Sequence, residues 1–253
     1  MQGTEVIVAS VVRDRAMYER CVALNPFFDG CTLVVLDNSV ENRSVTSRYN
    51  DFLDSEACAG DCWIVLCHED WEPLQNVRDR ILNLDRNCLY GTIGSFVEEL
   101  PRVDVIMNMG YVKQTPKNSE KRIEIVGKEI EARVDTFDCQ CIIMHSSLVG
   151  RYGHRFDEKL SFDMYVEEFC IRAYEQYGIE SRTIMLDACH HSSGKLSKSF
   201  YASLDYVKAK YPVTKKRYST IVGHNNTIGG TKGKRVFKWK RTPLRQLRYR
   251  LGI

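Results

Sequence analysis

Residues 62–70 read Cys-Trp-Ile-Val-Leu-Cys-His-Glu-Asp, which is six apolar residues followed at once by three polar ones. A short apolar run without alternation is typical of a strand that is buried on both faces of a parallel sheet. Open sheets of this kind bind ligands beyond the carboxyl ends of their strands. The stretch therefore predicts a central strand and places His68, Glu69 and Asp70 at the ligand-binding edge.

Two earlier stretches have the same form. Residues 5–12 are almost continuously apolar and lead to Arg13, and residues 31–36 lead to Asp37 and Asn38. Two buried strands joined by a helix form a right-handed βαβ unit. Acidic and amide side chains at several strand ends suit a hydroxylated ligand and a metal ion.

Helical and strand patterns alternate along most of the chain. Apolar spacing predicts helices over 16–24, 47–57, 74–84, 164–177 and 199–210, with further strands over 88–94 and 138–144. Residues 102–134 are more polar, which predicts less regular strands and loops and a hairpin near 117–119. The alternation predicts an α/β fold with a mostly parallel, Rossmann-like sheet flanked by helices.

Composition excludes several classes of protein. The 253 residues are 43% hydrophobic and 27% charged, with a mean hydropathy of −0.33, which indicates a soluble globular chain rather than a disordered or fibrous one. No secretory signal or apolar run of about 20 residues occurs, so we expect a cytoplasmic protein. The ten cysteines lack the paired spacing of a zinc knuckle, and we interpret them as reduced thiols.

The sequence lacks the glycine-rich loop motifs that commonly bind phosphate. No G-x-G-x-x-G follows the first strand, and no P-loop motif occurs in the sequence. A divalent cation held by oxygen and imidazole ligands is the usual alternative for neutralising phosphates.

Four stretches, in this order, resemble the GT-A nucleotide-sugar glycosyltransferases, specifically the bacterial family-2-like members with an H-Q-D metal motif. They are the strands 6–14 and 33–38; Tyr49-Asn50 followed by the 63–71 strand and His68-Glu69-Asp70; the block 134–172; and Asp187 to Lys195. Glu69 stands where the family more often has glutamine. The resemblance ends near Pro212, which divides the chain into a GT-A domain, 1–212, and a basic C-terminal extension, 213–253.

The resemblance implies a ligand set for metal and nucleotide. Asp70 would bind Mn²⁺ or Mg²⁺, helped by His190 or His191. The residues that would contact the nucleotide-sugar donor are Val11, Arg13, Asp37, Asn38, Tyr49, Asn50, His68, Glu69 and Lys195.

The resemblance also implies a catalytic carboxylate. Glu168 is the leading candidate for the general base, although the family more often has aspartate there, and Glu167 or Asp163 competes with it. Helical spacing leaves another interpretation open, because Glu168 and Arg172 are four residues apart and would form an ordinary ion pair. The residues assigned to the acceptor side are Asp138, Phe156, Asp157 and Glu158.

The function that follows is an inverting, metal-dependent glycosyltransferase of the hexosyltransferase class in polysaccharide biosynthesis. It would move a sugar from a UDP-sugar, or another nucleotide-diphosphate sugar, to a glycan or lipid-linked acceptor. The alternative is a non-catalytic binding module for sugar nucleotides or glycans, or a partner subunit of a transferase.

The C-terminal end differs from the rest in charge. Residues 231–253 contain nine of the 36 basic residues and none of the 33 acidic ones, with aromatic residues between them. This pattern favours peripheral contact with an anionic membrane at its inner face. A solvated basic end is the plain alternative, and nucleic acid is the partner we do not expect.

Overall fold

The computed structural model describes residues 4–114, 123–126, 131–192, 197–221, 226–230 and 235–238. Six α-helices lie in this part of the chain: α1 Arg15–Tyr18, α2 Val45–Leu53, α3 Val77–Ile81, α4 Ser146–Tyr152, α5 Tyr165–Tyr177 and α6 Lys198–Lys210. A π-helical turn, Glu19–Ala23, continues α1, and short 3₁₀ turns cover Pro26–Phe28 and Glu56–Cys58.

Sixteen strands occur in the same described ranges. They are β1 Glu5–Val12, β2 Thr32–Asp37, β3 Cys62–Cys67, β4 Trp71–Pro73, β5 Cys88–Gly91, β6 Ile93–Glu99, β7 Val103–Gln114, β8 Ile123–Val126, β9 Arg133–Val134, β10 Thr136–Phe137, β11 Cys141–His145, β12 Glu180–Thr183, β13 Ala188–His190, β14 Arg217–Ser219, β15 Thr227–Gly229 and β16 Arg235–Lys238.

The main sheet has the order β2-β1-β3-β11-β5-β12-β9. Strands β2, β1 and β3 are parallel, and β5 and β12 are parallel, whereas β11 is antiparallel to both of its neighbours and β9 is antiparallel to β12. The prediction of an α/β chain with a mostly parallel sheet flanked by helices is confirmed.

Both faces of the central strands are buried, as the unbroken apolar runs predict. On β1 and β3, alternate residues such as Ile7 and Ile64 pack against α2, α4, α5 and α6 on one face. Their neighbours Val8 and Val65 pack against α1, the π-helical turn and α3 on the other face. Because successive side chains of a strand point to opposite faces, one strand serves two cores.

Helix boundaries follow the capping residues. Ser44 caps α2 by accepting the Ser47 N–H, and Gly178, with φ of 69°, ends α5 where the sequence predicts the end. The helix predicted over 74–84 is wrong at both ends, because α3 begins after its cap Asn76 and ends at Ile81.

A second sheet, ordered β10-β6-β7-β13-β4, lies at the carboxyl end of the first. Its longest member, β7, runs for twelve residues and pairs with β6 over Asp104–Gly110 and with β8 over Tyr111–Gln114, so the expectation of irregular structure after residue 102 is wrong here. A half-exposed antiparallel strand carries polar residues on its exposed face, and these masked the apolar pattern by which a strand is predicted. The hairpin tip expected at 117–119 lies outside the described residues.

The described part of the C-terminal extension contacts this scaffold. Tyr218 and Ile228, on β14 and β15, are buried in the core, and β16 pairs in parallel with β7. The division of the chain near Pro212 stays a prediction. In the described residues, no helix is both long and apolar enough to cross a membrane.

Candidate metal and nucleotide site

The carboxyl ends of β1, β2 and β3 border a cavity of about 490 Å³. The loop after β3 carries His68, Glu69 and Asp70 to its wall. The residues that line it are Val11, Arg13, Asn38, Asn42, Arg43, Ser44, Val45, Tyr49, His68, Glu69, Asp70, Ser161, Phe162 and Ser192. The parallel strands therefore gather their polar ends around one cavity, as the sequence predicts.

Three side chains of a kind that binds metal ions meet beside this cavity: His68 and Asp70 line it, and His190 contacts Asp70. The Oδ1 atom of Asp70 lies 3.3 Å from His190 Nε2 and 4.0 Å from His68 Nδ1. His190 reaches the group because β13 pairs with β4 directly after the His68–Asp70 loop. One ligand atom from each residue lies within 4.8 Å of the other two, so a single cation fits among them.

The hydrogen bonds of His68 favour one form of its ring. Its Nε2 lies 3.1 Å from the Tyr165 hydroxyl, which itself donates to the Cys139 carbonyl at 2.9 Å. Because that hydroxyl proton is already used, Tyr165 accepts from His68 Nε2–H. In the neutral ring the lone pair then lies on Nδ1, the atom that faces Asp70.

His190 is buried, and its pKa is raised above the ordinary value. Burial lowers this pKa, but the hydrogen bond to Asp70 and the negative charge of that carboxylate outweigh the effect. The site thus attracts positive charge between the two side chains. Two imidazoles and one carboxylate are ligands that suit Mn²⁺-class ions, so the residues present fit the implied metal.

The predicted pair of adjacent histidines does not act at one site. His191 lies on the other side of β13, where its Nε2 is 2.6 Å from Glu72 Oε2. The assignment of His191 to the metal of Asp70 is therefore corrected, because neighbouring residues of a strand point to opposite faces. His68, which we expected to contact the nucleotide, lies beside Asp70 and His190 instead.

Glu69 holds the loop together. Its Oε2 accepts the backbone N–H groups of Arg13 and Asp14 at 2.6 and 2.8 Å. This joins the end of β1 to the end of β3. A glutamine Oε1 is able to accept the same two bonds, so the departure from the H-Q-D motif leaves the geometry intact.

Hydrogen bonds within the loop after β2 hold that loop in place. Buried Asn38 accepts the Arg43 N–H and donates to the Arg43 carbonyl at 2.9 and 2.8 Å, which closes the loop that lines the cavity. Asp37 is exposed, and hydrogen bonds from Ser39 to its carboxylate lower its pKa. Asp37 thus stays ionised beside the cavity, and Asn38 shapes the wall.

Tyr49 and Asn50 have different positions. Tyr49 lines the cavity while its hydroxyl donates to the Cys67 carbonyl at 3.2 Å. The Asn50 amide instead bonds to the backbone N–H and C=O of Phe156, and to Glu158 Oε1, at 2.8 to 3.0 Å. Asn50 is therefore a connection between α2 and the 153–160 loop rather than a nucleotide contact.

The acceptor-side assignment of that loop is corrected for the same reason. Phe156 is buried and stacks on Phe169, with ring centroids 4.4 Å apart. The carboxylate of Asp157 accepts hydrogen bonds from Tyr206 and Lys210 on α6. These side chains serve packing between helices, and Asp138 is the one acceptor-side candidate left near the metal ligands.

The two candidate bases on α5 have opposite surroundings. Glu168 is fully buried and accepts hydrogen bonds from Arg172 at 3.0 Å, Lys210 at 2.8 Å and Tyr211 at 2.7 Å. Three donors, two of them cationic, hold this carboxylate in place. The structure therefore supports the interpretation of Glu168 and Arg172 as an ion pair.

Glu167 is buried, and its Oε2 has no hydrogen-bond partner among the described residues. Burial raises its pKa to about 8, and the charges of Asp138 and Asp163 act in the same direction. Asp138 also acts electrostatically on His190. Glu167 is thus a carboxyl group poised to exchange a proton near neutral pH, and Asp138 is an electrostatic neighbour that it shares with His190.

Some cavity residues were not predicted from the sequence. These are Asn42, Arg43, Ser44, Val45, Ser161 and Phe162, which come from the start of α2 and from loops without a motif, whereas Ser192 lies in the 187–195 stretch that the resemblance covers. Phe162 is half exposed and stacks on His68, with centroids 5.4 Å apart. Lys195, expected on the donor phosphates, lies outside the described residues.

The connection through Asn50 predicts a stability effect. Replacing Asn50 with alanine leaves buried backbone groups of Phe156 unpaired, which costs about 1 to 3 kcal/mol in the free energy of unfolding. Chemical denaturation measures this loss, and the exposed Asn83→Ala variant is the matched control. Equal stability of the two variants would contradict the role given to Asn50.

The raised pKa of Glu167 predicts a pH dependence of stability. Its ordinary value is 4.5 and its folded value is about 8, so the unfolded chain releases the proton first as pH rises. This contribution to stability is fully present below about pH 4.5 and is lost as pH approaches about 8. Thermal unfolding of metal-free Glu167→Gln should lack this loss, whereas Glu98→Gln, at an exposed position, should retain it.

The sequence matches no protein-family model and no curated protein. Among solved structures, GalNAc-T7 with UDP, GalNAc and Mn²⁺ is similar at a TM-score of 0.50 and 10% identity, over 83% of this chain and 49% of that chain. TarS of S. aureus is similar at a TM-score of 0.46 and 12% identity, over 85% of this chain and 40% of that chain. A197 from STIV is similar at a TM-score of 0.43 and 10% identity, over 93% of this chain and 99% of that chain. The chain spans about half of the GalNAc-T7 chain. The likeness to GalNAc-T7 concerns the fold, and the chain has the GT-A type of fold.

Proposed function

We propose that this protein is a metal-dependent, inverting glycosyltransferase that uses a nucleotide-diphosphate sugar, with UDP as the nucleotide. The observation that carries the proposal is the group of His68, Asp70 and His190 at the wall of a cavity large enough for a nucleotide. The fold is shared with GalNAc-T7, a structure solved with UDP, GalNAc and Mn²⁺.

His68, Asp70 and His190 would hold Mn²⁺ or Mg²⁺. When bound, the cation stabilises the negative charge that grows on the departing diphosphate. The Tyr165 hydroxyl orients His68, and the pairing of β13 with β4 orients His190. The chain thus presents the ligands in a fixed arrangement and loses little freedom when the donor binds.

Cationic and aromatic side chains of the cavity suit the rest of the donor. Arg13 and Arg43 line it, and because the Arg43 guanidinium is paired with Asp51, Arg13 is the guanidinium that would meet an anionic ligand. Phe162 offers an exposed ring face beside His68 for stacking. Asp37 lies at the end of β2, where a ribose or base would be reached.

Glu167 is the general base in this proposal. An acceptor hydroxyl would give its proton to Glu167 while the hydroxyl oxygen attacks the sugar carbon on the face opposite the diphosphate. A base with a pKa near the working pH combines sufficient basicity with a useful ionised fraction. Asp138, beside Glu167, would contact the donor sugar or the acceptor.

The acceptor is proposed to be a glycan or a lipid-linked glycan. The membrane contact of residues 231–253 and a cytoplasmic location remain part of the same proposal, because a cationic, aromatic-bearing segment would bring the domain to a lipid-linked acceptor. The alternative, a binding module without catalysis, requires the same donor site but no role for Glu167.

Donor binding tests the metal group. UDP with Mn²⁺ should raise the Tm by several degrees, while UDP alone gives little shift, since a ligand of the native state stabilises it in proportion to its affinity. Asp70→Asn should abolish the metal-dependent part, and Asp205→Asn, an exposed aspartate on α6, should not. A shift that is equal without Mn²⁺ or unaffected by Asp70→Asn would contradict the proposal.

Turnover tests the base and separates the two functions. Release of UDP from a panel of UDP-hexoses, with water as acceptor, should fall at least about 100-fold in Glu167→Gln while UDP binding is retained. Glu168→Gln should lower stability but retain turnover per folded molecule. Turnover lost only in Glu168→Gln would assign the base to Glu168, and none in wild type would favour the binding module.

A further inference from the structure

A second group of metal-binding side chains lies on the opposite side of β13 from the cavity. Cys21 comes from the π-helical turn, Glu72 from β4, and Cys189 and His191 from β13 and the residue after it. Ligand atoms of Cys21, Glu72 and His191 all lie within 4.8 Å of one another. His191 also hydrogen-bonds with the Cys189 thiol.

The strand register produces this arrangement. Cys189 is directly opposite Glu72 in the antiparallel pair of β13 and β4, so their side chains share one face. His191, two residues after Cys189, returns to the same face. Asn25 fixes the third element, because its amide donates to the carbonyls of Cys21 and Pro73 at 3.2 and 3.0 Å.

The chemistry of the four groups is specific. Two thiolates, one imidazole and one carboxylate are a ligand set that suits tetrahedral Zn²⁺, whereas the group at the cavity has no sulfur. Metal–ligand distances of about 2.0 to 2.3 Å place zinc ligands about 3 to 4 Å apart, so the spacing of Cys21, Glu72 and His191, up to 4.8 Å, needs a contraction of about 1 Å. Cys21 and Cys189 are fully buried, which keeps competing water away.

We propose that Cys21, Glu72, Cys189 and His191 form a structural zinc site. The ion would join the π-helical turn, β4 and β13 at one point. The site does not depend on the proposed glycosyltransferase function, although it would brace the two strands that frame His190. Because the ligands come from three separate segments and two of them, Cys21 and Cys189, are buried, zinc would be a source of folding stability here, as in other closed sites.

Cobalt substitution tests the site on the full-length protein. Metal-free protein titrated with Co²⁺ should develop a thiolate-to-cobalt charge-transfer band at one equivalent, and Zn²⁺ should remove the band. The band should persist in Asp70→Asn, because that variant alters only the sulfur-free group. Cys21→Ser and Cys189→Ser should each reduce it strongly, and Cys88→Ser, a buried thiol on β5, should not.

A second measurement keeps the test independent of variant folding. X-ray absorption of zinc-loaded Asp70→Asn should show two sulfur neighbours together with nitrogen and oxygen, and zinc should raise its Tm. A sulfur-free zinc shell, or no charge-transfer band in the folded wild type, would overturn the proposal. A band that survives in the Cys21→Ser Cys189→Ser double variant would also overturn it.

Discussion

The backbone hydrogen bond from the His191 N–H to the Asp70 carbonyl, 2.9 Å long, is the contact on which the site depends. It joins the loop after β3 to the end of β13, two segments more than a hundred residues apart. It also sets the register in which His190 stands opposite Trp71. Because side chains alternate along a strand, a slip of one residue would exchange His190 and His191 between the two faces. This pairing therefore decides which histidine meets Asp70.

Neighbouring carboxylates on α5 show how surroundings divide one residue type into two roles. Burying an unpaired carboxylate costs free energy, so such a group is either compensated by donors or held neutral. Glu168 has three donors and is compensated, which makes it part of the packing between α5 and α6. Glu167 is buried near other acidic side chains, and burial together with their charges raises its pKa to about 8. The hydrogen bonds of Glu168 stabilise the helix on which the reactive carboxyl group of Glu167 lies.

Much of the architecture could be predicted from the sequence because buried parallel strands leave unbroken apolar runs, as in 5–12 and 62–67. The polar ends of those strands predicted the cavity and Asp70. The partners of Asp70 were harder to predict, since His190 and His191 are adjacent in sequence and only strand pairing separates them. Asn50 misled for a different reason: its amide matches a nucleotide-binding motif, yet it bonds to the Phe156 backbone more than a hundred residues away. Contacts of that separation leave no local pattern.

In the proposed function, Asp70, His68 and His190 hold one divalent cation beside a bound nucleotide. An anomalous difference map from crystals of the full chain grown with Mn²⁺ and UDP tests this arrangement. One manganese peak is expected within coordination distance of Asp70 Oδ1, His190 Nε2 and His68 Nδ1, with the UDP diphosphate against it in the cavity. UDP bound in the cavity without a manganese peak at these three atoms, or manganese bound only elsewhere, would contradict it.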